Sequence, residues 1–384
     1  MEPPFKSRSG SGSDSAVPDP SSANAIISMI PIGTHSLWTS LSNPGEDERP
    51  RPPAPPVLSV SGDPDSNSKS KSNPKEEGDS PPQNPLVVII PGAGDVASSY
   101  VALERLLRPS ARILLYDRTG LGRSEKRPSP PSDSNSNEIT GPVAVRAATE
   151  LHTLLHTLNE RGPYILLAHS YGGIVAREFL ELHPHPEDGV VAGMVLVDCA
   201  TERSAELFPD FPDPNVVAVM GDLNFARVTG LRADTVLSDE EWRARARDIY
   251  AGAQGAAMEE AGSFVEVCAT LRGKEQVRNV ALGDRPLVVV RANGVRDYER
   301  IYEAGVKVGN GSVEQQRAFR DLLDRWEGVD AEVQEGQLGL SRVSRYVRVE
   351  DVGHNVHLVR PGVIVDAVRW VMERVVPQSV GCSS

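Results

Sequence analysis

Six short apolar runs constrain this chain more than any other feature of it. They are "LVVII" (Leu86 to Ile90), "RILLYD" (Arg112 to Asp117), "YILLA" (Tyr164 to Ala168), "GMVLVD" (Gly193 to Asp198), "PLVVVR" (Pro286 to Arg291) and "RYVRVE" (Arg345 to Glu350). A strand with one wet face alternates apolar and polar residues, whereas a strand covered on both faces does not. Four of the six are continuously apolar, as both-sided burial requires. Helical patterns separate most of them, notably Val143 to Glu160 and Gly172 to Leu182. The alternation predicts an α/β fold: a mainly parallel sheet flanked by helices.

Two blocks exceed an ordinary connection. Residues 201–284 contain "SDEEWRARARDIYAG", in which Ser238 and Glu241 have the spacing of a helix capping box, so this block is expected to form a helical cap over the C-terminal edge of the sheet. Residues 298–344 are also helix-rich. Before the first run, "AIISMIPIGTHSLWTSLS" (Ala25 to Ser42) reads as one or two strands around Gly33. Hydrophobic residues make up 39% of the chain and aromatic residues 5%, lean enough that part of it should not pack. The Ser/Pro-rich residues 1–24 and 43–84 carry no apolar stripe and are expected to be a disordered arm and a disordered insertion, with residues 377–384 as a tail. One domain should therefore span 25–376.

Composition excludes several functions. A net charge of −13 argues against a nucleic-acid partner. No run approaches the roughly 18 apolar residues of a membrane span. Neither a signal-peptide core nor a lipidation box is evident, so a soluble, cytoplasmic protein is expected. Cys199, Cys268 and Cys382 have neither metal-site nor disulfide spacing, which suits a reducing compartment. The "GAG" of Gly92 to Gly94 lacks the Gly-Lys-Ser/Thr of a phosphate loop. No metal and no cofactor are implied.

In an open α/β sheet, ligands bind beyond the C-terminal strand ends, so the residues after each strand are the ones to inspect. After Ala168 comes His169-Ser170-Tyr171-Gly172-Gly173, with a helix beginning almost at once. A serine between strand and helix, with small residues two before and two after it, is a nucleophile elbow: larger side chains there would collide. Ala168 and Gly172 fill those places, and Gly173 lets the helix approach the sheet. Serine is a weak nucleophile at neutral pH and needs a base, for which His354, after the last strand, is the candidate. Two acids could orient it: Asp198, ending the strand after the serine, and Asp297, beyond the strand at Leu287. Glu202 is a more remote third. Backbone N–H groups of Tyr171 and of the Gly92-Ala93-Gly94 loop, chiefly Ala93, could hold an oxyanion. Asp117, Arg118 and Ser124 are read as holding their loop together. His357 is read as packing or supporting, His169 as a neighbour of the elbow, and Trp326 and Gln334 as pocket-lining or packing.

At these residues the chain resembles the α/β-hydrolase superfamily, in its AB hydrolase branch of serine esterases, lipases and thioesterases. "PGAG" stands for the usual His-Gly-x-Gly, "YDRTGLGRS" for Asp-x-x-Gly-x-Gly-x-Ser, "AHSYGG" for the elbow and "GHNVH" for the histidine loop, over roughly residues 86–375. Pro91 and Ala168 depart from the family pattern, and the acid is not fixed by it. The resemblance implies a serine hydrolase acting on a small ester-like molecule, a carboxylic ester or thioester, while lactone, amide and carbon–carbon cleavage use the same parts. Epoxide hydrolases and dehalogenases of this fold need an acidic nucleophile, against which Ser170 speaks. A non-catalytic binding protein is the other alternative. Oligomeric state is open.

Overall fold

The structure is a computed structural model describing residues 25–44, 84–128, 141–185 and 188–376. The expectations for residues 1–24, for nearly all of 43–84 and for 377–384 fall outside the described residues. Eight strands form one sheet: β1 (Ala25–Pro31), β2 (Ser36–Ser42), β3 (Leu86–Ile90), β4 (Arg112–Tyr116), β5 (Tyr164–His169), β6 (Val191–Val197), β7 (Leu287–Arg291) and β8 (Ser344–Arg348), in the order β1-β2-β4-β3-β5-β6-β7-β8. From β4 to β8 every pairing is parallel. The segment around Gly33 is an antiparallel hairpin, β1 with β2, and β2 joins β4 antiparallel. All six sequence-predicted runs are strands, with ends shifted by a few residues. β6 stops at Val197 because Asp198 has φ +46°, a left-handed conformation that leaves the strand.

The unbroken apolar runs are explained by the two layers they feed. Leu86, Val88 and Ile90 of β3 pack in one core with helices Val143–Thr157 and Gly172–Glu181. Val87 and Ile89 pack in the other, with helices Val101–Leu107 and Pro361–Val375. Successive strand residues point to opposite faces, so each must be apolar when both faces are covered.

Two features of this sheet locate the site. The chain passes from β3 to β4 on one side and then to β5 on the other, so the loops after β3 and β5 diverge and leave a crevice at that switch point. Above it lie the helices of the 201–284 block, among them Asp239–Gly252, opened by the anticipated capping box of Ser238 and Glu241. Helices Gly294–Lys307 and Val313–Gly336 complete the roof. They share a separate apolar cluster with the first block, in which Ile301, Phe319, Leu322 and Trp326 meet Leu207, Val216 and Val219. The roof thus has two sequence-distant halves joined by their own core. Among the described residues no helix is long and apolar enough to cross a membrane.

Leu166 lies on central strand β5 with no exposed surface. Leu166→Ala should lower the unfolding free energy by about 2–5 kcal/mol, through lost burial and an unfilled cavity, as read from urea denaturation midpoints.

Candidate active site

Ser170 follows β5 directly and has φ +54°, a left-handed conformation that β-carbon sterics disfavour. The strain is held by its surroundings: Ser170 N–H donates to Val197 O (3.1 Å), and Ala200 N–H donates to Ser170 O (2.9 Å). The glycines are required by close approach. A Cβ at Gly172 would run into the carbonyl oxygens of Ile90 and Pro91, and one at Gly173 would meet the Cys199 side chain. Ala168 is buried without difficulty, so its methyl group fits where the family pattern has glycine. The bend leaves Ser170 half-buried, facing a cavity of about 140 Å³ whose lining includes Asp198 and His354.

The two acids the sequence left open sit differently. Asp198 Oδ2 is 2.6 Å from His354 Nδ1, and its Oδ1 accepts from Ala292 N–H (2.9 Å). A carboxylate oxygen accepts, so Nδ1 carries the proton and Nε2 is the nitrogen with a free lone pair. Asp297 meets His354 through the backbone, accepting from its N–H (3.2 Å), and presses against Gly353, where any Cβ would overlap its carboxyl group. Burial raises the Asp297 pKa. Glu202 lies apart, paired with the fully buried Arg177. Burial alone would lower the His354 pKa. The Asp198 hydrogen bond and the charges of Asp198, Asp297 and Asp330 outweigh that and raise it.

The loop after β3 is braced from both sides. Arg118 donates to Pro91 O (2.7 Å) and Gly92 O (2.6 Å), and forms a buried ion pair with Glu260 (2.6 Å) of the roof helix Ala256–Gly262. Glu260 Oε2 in turn accepts from Gly94 N–H (2.7 Å). Gly92 N–H donates to the Tyr100 hydroxyl (3.2 Å). Of the loop and elbow N–H groups named from sequence, those of Gly92 and Gly94 are therefore engaged. Those of Ala93 and Tyr171 have no protein acceptor among the described residues. Asp117 and Ser124 hold their loop as expected: Asp117 accepts from Ala97 N–H (2.7 Å) and Arg123 N–H (3.0 Å), and Ser124 Oγ donates to Asp117 O (2.6 Å).

Behind Ser170 is a buried polar network. His169 Nε2 must donate to His354 O (3.0 Å), since a carbonyl only accepts, which leaves Nδ1 facing the Tyr100 hydroxyl (3.0 Å). That hydroxyl is also 3.1 Å from Asp95 Oδ2, and His357 stacks on the Tyr100 ring with Nε2 3.6 Å from the same carboxylate. Burial would raise the Asp95 pKa, but His357, Arg245 and Ser99 hold it below the usual carboxylate range. Asp95, His169 and His357 have donor atoms within 4.8 Å of one another, close enough for a metal ion, yet the Tyr100 hydroxyl already bridges two of them.

With this geometry in view, the comparison with known proteins is direct. The model of the alpha/beta hydrolase family matches residues 87–367, most of the chain. The chain belongs to the alpha/beta hydrolase family. An AB hydrolase superfamily protein of Gibberella zeae is 28% identical over 301 residues, 77% of this chain and 88% of that one. A protein of Hormonema carpetanum named probable transporter efuK is 27% identical over 299 residues, and this alpha/beta hydrolase spans only 40% of its length. Among solved structures, wild-type Cfl2 from Burkholderia cenocepacia superposes with a TM-score of 0.54 at 14% identity, covering 92% of this chain and 98% of that one. At that identity the likeness is one of fold.

Sequence reasoning missed two parts of the alpha/beta hydrolase site. Trp326 and Gln334 do line the cavity, but so do Asp330, Phe208, Phe211 and Phe264, which no motif flagged. Arg118 was read as a loop support only, because its partner Glu260 is 142 positions away. Glu260→Ala would leave the Arg118 guanidinium buried without its carboxylate and should lower the unfolding free energy by about 3–5 kcal/mol in chemical denaturation. Glu260→Gln, which keeps an acceptor for Gly94 N–H, should lose less.

Proposed function

We propose that the protein is a serine hydrolase that cleaves a carboxylic ester or thioester of a small molecule through an acyl-enzyme. The observation that carries this reading is the 2.6 Å Asp198–His354 contact in the same cavity as Ser170. Ser170 Oγ attacks the carbonyl carbon and gives its proton to His354 Nε2, while Asp198 holds the imidazole in the tautomer with Nδ1 protonated. The resulting oxyanion takes the N–H groups of Ala93 and Tyr171, which have no protein acceptor among the described residues, with Gly92 and Gly94 shaping the loop that presents Ala93. Collapse expels the alkoxide or thiolate, which is protonated from His354 Nε2. Water, losing its proton to His354, then attacks the acyl group, and collapse releases the acid while His354 returns that proton to Ser170 Oγ. Asp297 supports the histidine loop rather than the ring in this scheme. The free, buried Cys199 and Cys268 fit a reducing, cytoplasmic setting.

A fluorophosphonate probe tests the reading. It should label the folded protein and lose its target in Ser170→Ala; absent labelling of the folded wild type would favour a binding protein instead. With 4-nitrophenyl esters of graded acyl length, Asp198→Asn should lower kcat by about 10³–10⁴-fold, since the imidazole loses its tautomer and its counter-charge. Asp297→Asn should lower it far less. Equal losses would reverse the assignment of the acid.

The pH profile follows from His354, which must be neutral to accept a proton. Its raised pKa places the acid limb of kcat/KM above pH 6.5, with activity increasing as pH rises through it. Replacing Asp330 by Asn removes one of the charges that favour imidazolium, so the limb should move to lower pH.

A further inference from the structure

The same cavity carries information about what fills it, which deepens the proposed function and rests on that reading for the bond cleaved. Much of its lining is aromatic or aliphatic, with Phe208, Phe211, Phe264, Trp326, Leu207 and Val333 outnumbering the polar Ser204, Tyr298 and Gln334. The rings are fixed against one another, Phe208 edge-on to Trp326 at 4.9 Å and Phe211 against Phe264 at 4.6 Å. At about 140 Å³ the space is close to the roughly 150 Å³ of a dry, apolar protein cavity that holds one benzene molecule. Gly294 forms part of the lining and lies against Trp326, where an added Cβ would sit 3.6 Å from the indole. A side chain larger than methyl at this position would take up the space of the ring.

The charges in the lining are as selective as its size. Asp198 and Asp330 are its carboxylates, and among the described residues no lysine or arginine lines it. The nearest guanidinium serving Asp330 is that of Arg291, buried behind it, with Nε 2.6 Å from Asp330 Oδ2. Arg291 is shared with Glu327 (3.0 Å), which Arg348 also pairs (2.8 Å). A further anion entering this space would meet two carboxylates and aromatic faces, and the lining imidazole, His354, is already paired with Asp198. An unpaired ion in such surroundings is strongly disfavoured.

We infer that the cavity selects esters or thioesters whose group beside the scissile bond is one uncharged six-membered ring or a branched alkyl of similar bulk, and that Asp330 is the specificity-determining residue that rejects ring-borne anions.

The test compares two near-isosteric ligands, terephthalamide and terephthalamate, which differ by one negative charge at the far end of the ring. Calorimetric titration of each into the Ser170→Ala variant at pH 8 should give at least about tenfold tighter binding of the neutral amide. Asp330→Asn in the same background should narrow the gap at least about threefold, with folding checked by circular dichroism, and Gly294→Leu should weaken the amide. Equal affinities, preference for the anion, or no binding of the amide at millimolar concentration would overturn the inference. If Asp330→Asn does not fold, the affinity ratio in Ser170→Ala alone decides. Because this assay needs no turnover, its outcome is separate from that of the fluorophosphonate and ester assays: selective binding without hydrolysis would sink the enzymatic reading alone, and hydrolysis with unselective binding would sink the specificity alone.

Discussion

The left-handed bend at Ser170 is the constraint on which the rest of the site depends. A non-glycine residue in that conformation costs about 1–3 kcal/mol and persists only where its surroundings over-determine it. Here they do so through the strands on either side. Gly172 lies against the carbonyls that end β3, Gly173 lies against Cys199 just after β6, and the Ser170 backbone is hydrogen-bonded to Val197 and Ala200. The strain thus ties together the ends of three adjacent strands, β3, β5 and β6. It also fixes where the Tyr171 N–H, the Gly92–Gly94 loop and Asp198 stand relative to the serine.

The electrostatics around that bend divide into two zones. Behind it, Asp95 is kept ionised by Arg245, Ser99 and His357, while burial and neighbouring histidines hold His169 well below its usual pKa and so neutral. In front of it, three carboxylates surround one imidazole. Asp198 touches the ring, Asp297 touches the loop backbone, and Asp330 acts across the cavity, with its own pKa pushed up to about 6 by burial and by Asp198. Such crowding raises the basicity of His354 and, on the inference drawn above, would disfavour a further anion in the cavity. In the proposed scheme one arrangement of charge would therefore bear on both proton transfer and selection, and Asp330, which lines the cavity together with Ser170 and His354, would take part in both.

How much of this could be read from the chain depends on whether the determinant was local. The sheet was legible, because burial on both faces forces unbroken apolar runs, and so were the capping box at Ser238 and the presence of strands around Gly33. The elbow was legible because a cramped turn dictates small residues at fixed offsets, and "VGHNVH" because it follows the last strand. The choice between Asp198 and Asp297 was not, since both lie beyond strand ends and differ only in where their carboxyl groups point. The brace of Arg118 and Glu260 and the joint roof of 201–284 and 294–336 were also hidden. They are contacts between segments far apart in the chain, and periodicity within a segment says nothing about them.

That hidden portion has its own logic. The roof reaches the C-terminal edge of the sheet through contacts that include Glu260 with Arg118 and Gly94, Arg245 with Ser99, and Gly252 against Gly120 and Leu121. Each of these lands on the segment after β3 or the segment after β4, while helix Val313–Gly336 reaches strands β7 and β8 through Arg291 with Asp330 and Glu327 and through Arg348 with Glu327. The bend is held by backbone hydrogen bonds at the ends of β5 and β6, while the roof braces the Gly92–Gly94 loop through Glu260, supports the histidine loop through Asp297 and lines the volume above Ser170. Under the proposed function, a roof of different sequence would change selectivity and the geometry of the oxyanion loop together, because Glu260 and the aromatic wall residue Phe264 stand four positions apart in consecutive helices. Substrate preference and loop positioning are thus mechanically linked in this chain, and exchange of its roof with that of another member of the family should alter both at once.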